Sequence, residues 1–374
     1  MDEQSSIQLL KNMLEIYSPS GKEEELARFL EKELESLGFK VWKDRAGNVY
    51  GEVGSGSPSI LLCGHMDTVS GWIPVKVEAD RLCGRGAVDA KASLAAMISA
   101  ASIFKHETEN GRVIVAAVVE EERKARGIRQ LIREGLKVDY AIFGEPSGVR
   151  NIAFAYKGKV NLRIQCKTIS GHIGAQHLVD NAIEKSFDLW NMFKDACQSY
   201  KSPHGVFYSL IPCMTHIVSR RTSGGVPDIC VMDIDLRLPP TVKSKESLII
   251  TQNVVKDFQA GNQSVSIFFR VTDRVEPFVA KRTTLLMDSL RKAILEVTGG
   301  PMRFLRKTGT SDVNIFGAKL HIPVAVYGPG DARLSHTRLE YIDIPEYMAS
   351  IKIYESTIDQ IFSSSISGLN QHKI

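Results

Sequence analysis

His65-Met66-Asp67 lies at the C-terminal end of the apolar run Ile60-Leu61-Leu62-Cys63, where the loops of an α/β sheet usually hold their ligands. In extended backbone, residues two apart point the same way. Asp67 is therefore placed to fix the second ring nitrogen of a metal-bound His65. Taken alone, His-x-Asp is common and says little. Asp89 stands in the glycine-bearing segment Cys83-Gly84-Arg85-Gly86-Ala87-Val88-Asp89-Ala90-Lys91, just before a helix start. It reads either as a ligand or as a helix cap stabilising by roughly 1 kcal/mol. Glu120-Glu121-Glu122 ends the run Val113 to Val119. Three adjacent carboxylates repel one another unless cations neutralise them; the alternative is a solvated turn balanced by Arg123, Lys124 and Arg126. Glu145, in Gly144-Glu145-Pro146-Ser147, again follows an apolar strand, and His336 sits in a loop rich in glycine and aspartate. A lone loop histidine is more often a solvated side chain. The constellation carries more than its members, because a sheet brings successive strand ends together. Imidazole with carboxylate is the donor set of zinc, manganese or cobalt rather than of a thiolate site.

The elements that must position these groups are legible from periodicity. Ile7, Leu10 and Met13 fall at helical spacing after an acidic start, which predicts an amphipathic first helix rather than the basic start and unbroken apolar run of a secretory signal. Ser20 to Glu24 followed by Leu26, Phe29, Leu30, Leu34 and Leu37 predicts a capped amphipathic helix stopped at Gly38. Phe39 to Glu52 alternates around the turn Ala46-Gly47-Asn48, and Ser59 to Cys63 reads as a buried strand. Helix and strand then alternate: a helix over Ala92 to Phe104, a strand over Arg112 to Val119, a helix over Gly127 to Glu134 and a strand over Asp139 to Phe143. This is an α/β layer pattern.

Beyond about residue 155 the pattern changes to half-exposed strands, Lys159 to Gln165 and Cys230 to Arg237, flanking a helical stretch near 180–198. That is the signature of an α+β domain. Helix and strand patterns of the first kind resume from Thr283 to Val297, His321 to Tyr327 and Pro345 to Phe362, so the second domain is inserted in the first. The expected boundaries are 1–155 and 274–374 for one domain and 156–273 for the other. The last residues, from Ser363, read as a frayed tail.

Composition excludes several classes. A chain of 374 residues with 43% hydrophobic and 24% charged content is globular and long enough for two cores. No stretch approaches the roughly 20 apolar residues needed to span a bilayer. The six cysteines (63, 83, 166, 197, 213, 230) form no C-x-x-C pair, which fits a reducing, cytoplasmic setting. A net charge of +4 does not indicate nucleic acid, although a mildly basic surface favours an acidic partner.

The ordered motifs Gly64-His65-Met66-Asp67, Gly84-Arg85-Gly86-x-x-Asp89-x-Lys91, Glu121-Glu122 with Gly127, Gly144-Glu145-Pro146-Ser147 and Ser335-His336-Thr337 resemble, across nearly the whole chain, the metallohydrolases typified by acetylornithine deacetylase, succinyl-diaminopimelate desuccinylase and aminoacylase. The resemblance implies a zinc-peptidase-like α/β catalytic domain with an inserted α+β dimerisation domain, in a homodimer. It implies two divalent metal ions, zinc with cobalt or manganese as alternatives. Asp89 would bridge them, His65 and Glu145 completing one site and Glu122 and His336 the other, with Asp67, Glu121 and His172 as the catalytic group. Glu121 would be the general base. His172, in Ser170-Gly171-His172-Ile173-Gly174-Ala175, would reach the scissile carbonyl across the dimer. Arg237, in Asp235-Leu236-Arg237-Leu238-Pro239, would hold a substrate carboxylate, and Gly309-Thr310-Ser311-Asp312 would line the substrate. One departure stands out: relatives often have Asn where this chain has Gly225, before Val226-Pro227.

Within the family, the segment Arg81 to Lys91 and the chain length look closest to the branch that releases lysine or ornithine from the acidic amino-group carrier protein LysW, an isopeptide cleavage in amino-acid biosynthesis. Arg220, Arg221, Arg303, Arg306 and Lys307 would attract such a carrier, though solvated surface explains any one of them. The small-molecule alternatives are deacetylation of N-acetylornithine or N-acetyllysine, desuccinylation of a diaminopimelate precursor, and dipeptide cleavage. All candidate ligands and the base are present, which argues against a non-catalytic scaffold.

Overall fold

Runs of aliphatic residues dictate the centre of the first unit. Ser59–His65 is buried at every position and Arg112–Val118 at all but its first; strands with no exposed face belong in a parallel sheet covered on both sides. Ser59–His65 accordingly lies between Arg112–Val118 and Tyr140–Phe143, parallel to both. Val324–Val326 continues the parallel set beside Tyr140–Phe143. Antiparallel strands flank it: Val49–Gly54 and then Lys40–Lys43 on one side, Asn151–Tyr156 on the other. The computed structural model describes residues 1–106, 110–220 and 223–371, so Arg221 lies outside the described residues.

Two compact units divide the chain, one of Met1–Phe154, Ala280–Leu305 and Ile315–Ile374, the other of Ala155–Val279 and Arg306–Asn314. In the first, Lys91–Ala101 is buried at every position. Its alanines and serines let it fit between the sheet and the helices Glu3–Glu15 and Ile344–Gln371. Glu24–Ser36 turns Leu26, Leu30 and Leu34 onto the outer strands, each buried leucine stabilising by roughly 1.5–3 kcal/mol. The cap expected from Ser20 to Glu24 is not made: Glu23 precedes this helix without a side-chain cap, and Ser20 is used elsewhere. Nor does the chain end fray from Ser363, since the last helix continues to Gln371. A small sheet of Tyr341–Asp343, Arg81–Cys83 and Lys76–Glu78, too short to show a period, brings late chain beside the Gly84 to Asp89 segment.

In the second unit, Ile211–Ser219, Ile229–Leu238, Gly158–Lys167 and Ser266–Val275 form one antiparallel sheet in that order. Burial alternates strictly along Ile229–Leu238, as it must when only one face is covered. The helices Ala182–Gln198 and Ser244–Gly261 supply that cover, packing Leu189, Phe193, Val254 and Phe258 against Ile164, Met232 and Ile234. All six cysteines are free. Among the described residues no helix is long and apolar enough to cross a membrane.

Candidate metal centre

Parallel pairing brings the chemistry together. His65 is in register with Val118, and Cys63 with Phe143, so His65, the Glu120 to Glu122 segment and Glu145 all leave the same edge of the sheet. Asp89 and His336 come to that edge on loops. Three groupings result, each with its ligand atoms within 4.8 Å of one another: His65, Asp89 and Glu145; Asp89, Glu122 and His336; and His65, Glu121 and Glu122. Asp89 belongs to two of them. Its Oδ1 lies 3.2 Å from His65 Nε2 and its Oδ2 3.4 Å from His336 Nε2, while Glu122 Oε1 lies 2.8 Å from the same His336 nitrogen.

The alternatives left open by the sequence divide cleanly. Asp89 caps nothing: Ala90 precedes the helix Lys91–Ala101, with no side-chain cap bond. Glu120 is the member of the acidic run that behaves as an ordinary ion pair, its Oε1 2.8 Å from Arg126 Nε. It adopts φ 56°, as His336 adopts 63°. Such left-handed backbone costs a non-glycine residue of order 1–3 kcal/mol and concentrates at functional sites. At Glu120 the turn separates one carboxylate from its neighbours.

Asp67 does two jobs. Its carbonyl oxygen is 2.9 Å from His65 Nδ1, nearer than its own Oδ1 at 3.5 Å. The carboxylate expected to orient the imidazole instead accepts the backbone N–H groups of Glu121 (3.0 Å) and Glu122 (3.1 Å) and the Ser20 hydroxyl (2.6 Å). The two preceding amides are held likewise, Val119 by Asn48 Oδ1 at 3.0 Å and Glu120 by Glu23 Oε1 at 3.1 Å. Four successive N–H groups thus have side-chain acceptors from elsewhere in the sequence. Nothing local marks Ser20, Glu23 or Asn48 for this. Glu340 was also missed; buried, it accepts from the amides of Gly86, Val88 and Asp89.

Electrostatics identify the place as one built for positive charge. Burial acts to depress the His65 imidazole, yet Asp67 and Asp89 hold it well above its ordinary value. Asp89 and Glu122 push His336 up to about 10. Burial acts to raise the Asp89 carboxyl, but the two imidazoles keep it well below the usual carboxylate range. A field that binds protons this tightly on nitrogen binds a divalent cation in their place, and the oxygen and imidazole donors fit zinc, cobalt or manganese. Buried Lys91 donates to the carbonyls of Met13 (2.9 Å) and Ile16 (2.7 Å), and burial lowers it to about 7.

The remaining candidates belong to the second unit. His172 is exposed, its Nδ1 accepting from Gly174 N at 3.1 Å, and its backbone bridges to Gly225. At Gly225 the chain therefore contributes a main-chain contact. Arg237 is paired with Asp235, at 2.7 Å through Nε and 3.1 Å through Nη2. Thr310 and Ser311 lie in the loop before Asp312–Lys319, where Ser311 N donates to Asn314 Oδ1 at 3.0 Å.

Residues 61–360 match the model of peptidase family M20/M25/M40, and the chain belongs to that family. It is similar to the LysW-lysine/LysW-ornithine hydrolase of Saccharolobus islandicus, 31% identical with 97% of both chains covered. It is likewise similar to the LysW-lysine hydrolase of Deinococcus radiodurans, 30% identical over 96% of this chain and 98% of that one. Among solved structures, the aminopeptidase PepT of Bacillus cereus superposes with a TM-score of 0.79 at 17% identity, covering 96% of this chain and 99% of that one. The resemblance and the α/β fold expected from the sequence both hold, and the chain is a metal-dependent hydrolase of that family.

Proposed function

We propose that this enzyme releases lysine or ornithine from the carrier protein LysW by hydrolysing the isopeptide bond between a carrier glutamate and the amino acid, acting as a cytoplasmic homodimer. The observation that carries this reading is the end-to-end similarity to relatives bearing that activity in their names. In the proposal, residues 1–155 and 274–374 are the catalytic domain and 156–273 the dimerisation domain, except that 155, 274–279 and 306–314, with Thr310 and Ser311, cluster with the second unit. His65, Asp89 and Glu145 would hold one divalent ion and Asp89, Glu122 and His336 a second, supported by the way the two Asp89 oxygens divide between the two imidazoles.

Two zinc ions, or cobalt or manganese in their stead, would polarise the amide carbonyl and acidify a water. Glu121 takes the proton of the attacking water and returns it to the leaving amine. Asp67 sets the direction of both Glu121 and Glu122 through their amides. His172 of a second copy donates to the developing oxyanion, and Arg237 offers the N–H groups not engaged by Asp235 to the substrate carboxylate. Thr310 and Ser311 line the substrate. Arg220, Arg303, Arg306 and Lys307 attract the acidic carrier. The test is turnover of the metal-loaded enzyme on carrier-linked lysine and ornithine beside N-acetylornithine and N-acetyllysine. Preference for the carrier forms is expected; preference for an acetyl substrate overturns the carrier assignment.

A further inference from the structure

Glu340 and Arg85 form an ion pair with almost no solvent access, the side chains 1% and 5% exposed and Nη1 2.8 Å from Oε2. Burying two charges is costly, and an apolar pair of similar volume is often as stable, so stability alone does not account for the arrangement. The other carboxylate oxygen, Oε1, gathers three amides of one turn: Gly86 at 3.1 Å, Val88 at 3.0 Å and Asp89 at 2.9 Å. Such convergent N–H groups ordinarily cradle a bound anion; here the anion is the protein's own. Gly86 permits the turn with φ +91°, where a Cβ would meet the Lys91 side chain at 2.9 Å.

The connections run further. Arg85 Nε donates to Gly71 O at 2.9 Å, and Gly84 N to Glu340 O at 3.2 Å. The residues after Glu340 pair with the residues before Gly84, Tyr341 opposite Cys83. Glu340 follows His336 by four positions, so the loops carrying Asp89 and His336 meet at this one carboxylate.

We propose that Glu340 is a positioning residue of the metal centre: it fixes the Gly86 to Asp89 backbone so that the two Asp89 oxygens stay divided between His65 and His336. The inference rests on the two-cation reading given above. Its test compares a Gln variant, Arg85→Met/Glu340→Gln, whose amide oxygen still accepts the three N–H groups with no guanidinium left facing its NH2 group, with the double variant Arg85→Met/Glu340→Leu, which removes the acceptor as well as the buried charges. Zinc stoichiometry and affinity are measured by calorimetry, amide exchange of Val88 and Asp89 is followed in metal-free protein, and folding is monitored by circular dichroism. The double variant should fold, exchange those amides faster and bind zinc about 10–100-fold more weakly, the usual effect of losing an outer support. The Gln variant should recover most of that affinity.

Wild-type affinity in the double variant, or a Gln variant as impaired as the double variant, overturns the proposal. If the double variant does not fold, Glu340→Asp, which withdraws the carboxylate by one methylene, carries the same expectation. Should wild-type protein fail to bind two ions, the two-cation reading falls, and amide exchange decides the positioning role alone: faster exchange at Val88 and Asp89 supports it and unchanged exchange removes it.

Discussion

Metal loading should expel protons, and the number follows from the structure. His336 is held at about 10 by Asp89 and Glu122, and His65, against the opposing effect of burial, well above its ordinary value by Asp67 and Asp89; both shifts favour the cationic, doubly protonated imidazole in ion-free protein at neutral pH. Only neutral imidazole is a ligand. Filling both sites therefore releases about two protons, one from each ring, and the affinity of each site should rise about tenfold per pH unit, or 1.36 kcal/mol. His336 is half exposed, and solvent screening moves its break below 10, so the slope is best read between pH 6.5 and 8. The sign for folding is the reverse. A raised histidine stabilises the ion-free protein fully below its unfolded value, near 6.5, and that contribution is lost as pH rises through the folded one. Ion-free protein should thus weaken on going alkaline while metal-loaded protein does not. Calorimetric titration with zinc in two buffers of different protonation enthalpy counts the protons. Full stoichiometry with no proton release, or an affinity flat across that range, refutes the reasoning. His336→Ala should remove about one released proton and one of the two bound ions.

Replacing Glu121 by Gln should leave metal content intact and cut turnover at least roughly 100-fold, the scale of a general base; near-normal turnover by the metal-loaded variant would remove Glu121 from that role. His172→Ala should lower turnover without loss of metal, and mixing it with the Glu121 variant should restore some activity if the histidine acts across subunits; absence of complementation places it elsewhere. Gly127→Ala should destabilise by roughly 1–3 kcal/mol or more, because a Cβ there meets Asn48 Oδ1 and, at 2.6 Å, Val119 N. An unchanged melting temperature would mean that this turn yields freely.

The parallel core was legible because Ser59 to His65 and Arg112 to Val118 have no polar face to hide, and two such strands side by side define which end their loops share. The ligand residues were legible for a related reason: each stands where an apolar run stops. The supports were not. Ser20 reads as a helix cap, Asn48 as a turn residue and Glu340 as one more acid after a loop histidine, and each is a reasonable local reading. The groups at the metal centre that each supports are 47 to 254 residues distant. Periodicity reports which side of an element faces the core; it carries no information about which distant amide a buried carboxylate will accept.

The acidic triplet makes that boundary concrete. From the sequence, Glu120, Glu121 and Glu122 are equivalent, and repulsion among them argues equally for a cation or for solvation. What separates them is backbone. The left-handed turn at Glu120 directs its side chain to Arg126, while Asp67 takes the next two amides on its two carboxylate oxygens, Glu121 on Oδ1 and Glu122 on Oδ2. Asp67 can hold that position only because its own backbone follows His65 out of the same strand. The residue that anchors the His65 ring through its carbonyl therefore also orders the two glutamates through its carboxylate. Truncating Asp67 to Ala should disturb both ion sites together, whereas truncating Glu145 should disturb only the one shared with His65. Zinc stoichiometry of the two variants distinguishes these outcomes, and equal losses in both would remove the coupling assigned to Asp67.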